Sequence, residues 1–208
     1  MNPNLRLLSF VVVLCMTYPA GHVAIAAEGH PISPIPSGSG YSAGDRLPST
    51  AVGQEQNGFR EIDWEALIPP SWNPKQALSG LDLSKLDDND PRANEALARL
   101  RSSWSEAPLS ESMNNARVRI AGFVVPLEYV GDKVTEFLLV PYFGACIHLP
   151  PPPPNQIIHV LASPPITRKQ ATRPVWVTGV LETTRTDTEF GNAGYRMKSV
   201  AISAYRTR

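Results

Sequence analysis

The sequence predicts a mainly β protein: a small five-stranded barrel preceded by one α-helix and a disordered N-terminal linker. Three observations lead there. From Arg117 to the C-terminus, short alternating or fully apolar runs are separated by turns, the pattern of a compact β module. Two of these runs share the shape V-x-[IV]-x-G, at Val118-x-Ile120-x-Gly122 and Val175-x-Val177-x-Gly179, and a glycine inside a strand marks a bulge or a sharp bend. Five strands bent in the first and the fourth coil into an OB-like barrel, a small open sheet or sandwich being the alternative. Upstream, residues 28–56 are rich in Pro, Gly and Ser with no periodic apolar pattern, which reads as a flexible spacer.

In chain order, Arg6 followed by the apolar run Leu7–Met16 and the small residues at Ala24-Ile25-Ala26-Ala27 reads as a secretory signal peptide over 1–27. Its apolar core is shorter than the roughly 20 residues a bilayer span needs. Cys15 follows Leu14 where lipidation wants a small residue, which argues against a lipid anchor. A periplasmic chain is expected, and removal of the signal leaves Cys146 as its lone thiol, with no disulfide available. In an oxidising compartment such a thiol survives if it is buried, bound to a metal or used in chemistry. The 19 basic and 19 acidic residues balance, so there is no electrostatic footprint for nucleic acid. Peripheral membrane association stays open.

Residues 57–116 read as a short helical and extended clamp. Ile62, Trp64, Leu67 and Ile68 precede the Pro69-Pro70 break, and Trp64 with Trp72 either pins this segment onto the barrel or forms an aromatic patch for a peptide. Asp90 is a good N-cap and Pro91 a good first helical residue; Ala96, Leu97, Leu100 and Trp104 then share a face, giving a helix over Pro91–Ser105. The barrel strands are expected at 117–128, 135–143, 156–163, 174–182 and 195–205 within a module spanning 117–208.

Chemistry concentrates between Phe137 and Val160. An apolar strand delivers Cys146 and His148, two residues apart, and Pro150–Pro154 then fix an extended backbone. In an extended chain residues two apart share a face, so thiolate and imidazole can address one ion, and that pair suits Zn(II) or copper. Further donors would come from His159 and Glu128. A second reading makes Cys146 a nucleophile with His148 as base and Asn155 or Glu128 as orienting group. A third makes Cys146 structural and the proline run a docking ligand for a partner's aromatic groove. Tyr142, Asn155 and Gln156 would line the loop or pocket. No C-x-x-C, G-x-S-x-G, P-loop, H-E-x-x-H or G-x-G-x-x-G occurs, and the pattern leans away from an enzyme.

On these residues the chain resembles a bacterial exported family known as domain of unknown function 3299. The matching text is V-V-P-L-E at Val124–Glu128, E-F-L-L-V-P-Y-F-G-A-C-I-H at Glu136–His148, the proline run and Asn155-Gln156. The resemblance covers the C-terminal half, with weaker echoes at Ile62–Pro70. It implies that Glu128, Cys146, His148, Asn155 and Gln156 are characteristic positions; His159 is outside the pattern. It also implies an exported, sometimes lipid-anchored protein accompanying envelope ABC-type export or metal-related systems. The expectation that follows is a periplasmic accessory protein holding zinc or copper beside an envelope transporter component.

Overall fold

The computed structural model describes residues 40–48, 53–74, 76 and 91–206. The signal peptide, the spacer as far as residue 39 and the Asp90 cap lie outside the described residues. In chain order the elements are β1 (Glu55–Gln56), β2 (Phe59–Glu61), α1 (Pro91–Ser105), β3 (Arg117–Val130), β4 (Lys133–Val140), β5 (Ile158–Thr167), α2 (Arg168–Ala171), β6 (Val175–Thr188) and β7 (Gly191–Ala204).

Period-two alternation sets the barrel. Val118 and Ile120 of β3, Phe137 and Leu139 of β4, Ile158 and Val160 of β5, Val177 and Leu181 of β6, and Tyr195 and Met197 of β7 all turn into one core. The pairing order is β3-β4-β5-β7-β6 with β6 returning to β3, so the five strands close. Only β5 and β7 run parallel within that ring. This is the closed five-stranded barrel that the sequence predicts, with the OB strand order.

The two repeated glycines sit where the barrel turns. β3 pairs with β6 as far as Gly122 and with β4 from Phe123 onward, so Gly122 is the corner between two ladders. A Cβ there would lie 2.8 Å from both Leu139 Cγ and the Val140 carbonyl oxygen. Gly179 marks a register shift between β6 and β7, where a Cβ would meet the Lys198 carbonyl oxygen and stand 2.8 Å from Met197 Cγ. Close backbone approach therefore demands glycine at both positions.

The clamp plugs one end of the barrel. A 3-10 turn at Trp64–Leu67, capped by Asp63 Oδ1 accepting from Ala66 N at 3.2 Å, buries Trp64 and Leu67 in the main core. Trp64 Nε1 donates to the Ala121 carbonyl at 2.8 Å, so this tryptophan pins its own segment. β2 joins β3 in parallel, with β1 hairpinned onto β2, and Arg119 secures the join by pairing with Glu61 at 2.7 Å while stacking over Trp176. Helix α1 forms over the expected residues, yet only Ala96 of it is buried; Leu97 and Trp104 stay 43% and 41% exposed. The face that Ala96, Leu97, Leu100 and Trp104 share is therefore buried at Ala96 alone.

A second apolar cluster lies on the outer face of β3 and β4. Phe123, Val125, Leu138 and Val140 point there, opposite in the pleat to the core residues, together with Ala145 and Ile157. It is covered by the β4–β5 connection and by residues 41–48, which the sequence had placed in the spacer. Gly44 N donates to the Phe143 carbonyl and Phe143 N to the Asp45 carbonyl, both at 2.9 Å, while Tyr41 packs edge-on against Phe123 at 5.2 Å.

Candidate functional site

The site is built by the connection between β4 and β5. After Val140 the chain leaves the ladder, and the Gly144 carbonyl accepts from three successive amides, Ile147 at 3.3 Å, His148 at 2.9 Å and Leu149 at 3.0 Å. This tight loop forces Cys146 into the left-handed region, with φ +66°. For a non-glycine residue such backbone costs on the order of 1–3 kcal/mol and persists only where the surroundings impose it. The extended geometry expected of Cys-x-His is thus replaced by a turn.

Cys146 is half-buried against the second cluster, and burial pushes its thiol up to about 11. His148 is exposed on the same loop. Tyr142 donates its hydroxyl to the Pro150 carbonyl at 2.9 Å and lies under the Arg46 guanidinium, 5.7 Å from its ring centroid. Desolvation raises the Tyr142 phenol, the nearby Cys146 adds to the rise and Arg46 opposes it, so these three side chains share one electrostatic neighbourhood.

The proline run is a wall. Pro152, Pro153 and Pro154 are buried, leaving Pro150 and Pro151 exposed. Asn155 and Gln156 do not line a pocket beside the thiol; they are buried staples for the clamp. Asn155 Nδ2 donates to the Pro108 carbonyl at 3.0 Å, and Gln156 Nε2 donates to the Trp64 carbonyl at 2.7 Å. Amide side chains suit this because each offers N–H donors to main-chain carbonyls that would otherwise be buried without a partner.

The wider donor set does not assemble. His159 lies in the β5 ladder opposite Leu138, and its Nε2 meets Glu136 Oε2 at 3.0 Å. Glu128 is exposed and faces Glu136 across a bulged stretch of the β3–β4 ladder. Among the described residues no three His, Cys, Asp or Glu side chains are placed to hold a metal ion together. Cys146 and His148 are therefore without Glu128 or His159 as third and fourth ligands.

Two residues that sequence reasoning missed stand out. Glu136 is the partner of His159, a diagonal cross-strand contact that only the register reveals. Tyr195 is fully buried, its hydroxyl donating to the Leu67 carbonyl at 2.8 Å and accepting from Ser110 N at 2.6 Å. Its alternation with Met197 marked it as core but gave no sign of the hydroxyl's partners.

OB barrels take oligonucleotides on the face of their second and third strands and in the loops joining strands one to two and four to five. Here those joints are the tight turns Gly131-Asp132 and Glu189-Phe190, and much of the outer face of β4 lies under the second cluster.

The family described as "Protein of unknown function (DUF3299)" matches residues 64–204. No curated protein matches the chain. The crystal structure of a DUF3299 family protein from Pseudomonas aeruginosa PAO1 is similar, with 32% sequence identity and a TM-score of 0.56, covering 72% of this chain and 98% of that one. The matched span takes in the 3-10 turn, the staples, the Cys146 loop and all five barrel strands, and on that ground the chain belongs to the DUF3299 family.

Proposed function

We propose that this is a periplasmic accessory protein that binds Cu(I) through Cys146 Sγ and the His148 imidazole. The observation that carries the reading is the loop itself: a cysteine held in left-handed backbone by three amides on one carbonyl, with an exposed histidine two residues on. Strained backbone of this kind clusters at functional sites. The donor count favours copper over zinc. Zn(II) takes three or four protein ligands, whereas soft Cu(I) is satisfied by a thiolate and one further donor.

The raised thiol fits this better than it fits a nucleophile. Burial that pushes the thiol up to about 11 leaves little thiolate at pH 7 for attack on a substrate. A soft metal displaces the proton on binding, so its apparent affinity rises about tenfold per pH unit below that value. Docking through the proline run draws little support, since three of its five residues are buried. Association with an envelope ABC-type transport system rests on the family resemblance.

The test is an anaerobic titration of the mature protein with Cu(I) against a chromophoric chelator. One equivalent should bind with submicromolar affinity, lost in Cys146→Ser and at least about tenfold weaker in His148→Ala. Equal affinity in all three proteins would overturn the reading.

A further inference from the structure

Residues 41–48 cross the outside of the barrel and rest on the loop that carries Cys146 and His148. A Cβ placed on Gly144 would stand 3.5 Å from Ala43 Cβ and 3.6 Å from His148 Cβ, and one on Gly44 would stand 3.9 Å from Leu149 Cδ1. Ala43 and His148 thus both border the space that a side chain on Gly144 would occupy. Tyr41 and Leu47, at either end, tuck into the second cluster against which Cys146 also packs.

The attachment is slight. Ser42 to Arg46 are all exposed. Pairing with the barrel side amounts to one isolated bridge, Arg46 with Tyr142, and the two backbone hydrogen bonds around Phe143. The rest is local: Ser42 N donates to Asp45 Oδ2 at 2.7 Å and Asp45 N to the Ser42 carbonyl at 3.0 Å, which closes the turn. Segments held by few buried contacts and by exposed backbone hydrogen bonds open at far lower free energy than the closed ladders beneath them.

We propose that residues 41–48 are a hinged strap that governs access to the half-buried Cys146 thiol. Shut, it is bonded to Phe143 and its Tyr41 and Leu47 cover the apolar cluster that holds Cys146, which limits approach to the thiol; open, it frees the loop while the barrel stays folded. The inference rests on the reading of that loop as the functional site, but its test needs no metal. The Tyr41 ring against Phe123 and the Asp45 turn are two separate contacts among those that hold the strap, so two independent substitutions can loosen it.

The experiment is alkylation of Cys146 in the metal-free full chain at one fixed pH, for the wild type, Tyr41→Ala and Asp45→Ala, with the barrel's melting followed in parallel. Both variants should be alkylated at least about fivefold faster with the barrel still melting as a cooperative unit. Faster exchange of the Phe143 amide should accompany the change. Unchanged alkylation in both variants overturns the strap, as does acceleration seen only where cooperative melting is lost. Acceleration in a protein that binds no Cu(I) would retain the strap and remove the copper reading, so the two failures are distinguishable.

Discussion

Tyr195 joins two distant segments through one oxygen. Its ring fills the barrel while its hydroxyl satisfies the Leu67 carbonyl and the Ser110 amide, 128 and 85 residues away in sequence. Tyr195→Phe leaves both groups without that partner in a buried setting, which should cost about 2 kcal/mol in urea unfolding with the far-ultraviolet spectrum retained. A loss below a few tenths of that would mean water replaces the hydroxyl. The same residue shows the limit of reading single positions. Its place in the core was legible from alternation, but its partners depend on how the clamp folds back. Asn155 and Gln156 make the same point: the sequence singled them out as site residues, and their amides turn out to bind main-chain carbonyls of the clamp. Cys146 and His148 were legible as neighbours, while the left-handed turn between strand and proline run was not, since it depends on Gly144 gathering three amides.

At the scale of elements, the barrel was legible because each strand announces itself as an alternating or apolar run, and two of the five do so again through a glycine at a bend. Gly122 lies at the corner where β3 changes partner, and Gly179 at the bulge where β6 shifts register against β7. Gly179→Ala would drive a methyl into the Lys198 carbonyl, a backbone atom that cannot swing aside. The expected cost is at least about 2 kcal/mol, measured by chemical denaturation, from local overpacking and a displaced ladder. A neutral substitution would show that the bulge relaxes freely. Helix α1 illustrates the opposite case. Pro91 and the period placed it correctly, but of the face shared by Ala96, Leu97, Leu100 and Trp104 only Ala96 is buried, and Leu97 and Trp104 are exposed. The strap at 41–48 was hidden for a related reason. Its glycine and serine content resembles a spacer, and the residues that anchor it, Tyr41 and Leu47, are too few to show a period.

For the whole molecule, the five-stranded ring supplies a frame in which the joints of strands one to two and four to five are tight turns, and the long β4–β5 connection carries the proposed site. A closed barrel has no ladder to lose when that connection moves, so the loop and its strap can respond to a ligand while the core stays intact. The balanced charge offers no steering toward nucleic acid. If Cys146 and His148 together hold one copper ion, X-ray absorption on the Cu(I)-loaded protein should show a low-coordinate ion with one sulfur and one imidazole nitrogen, the nitrogen signal vanishing in His148→Ala. A sulfur-only environment that His148→Ala leaves unchanged, as when two molecules share the ion through their thiolates, would contradict it.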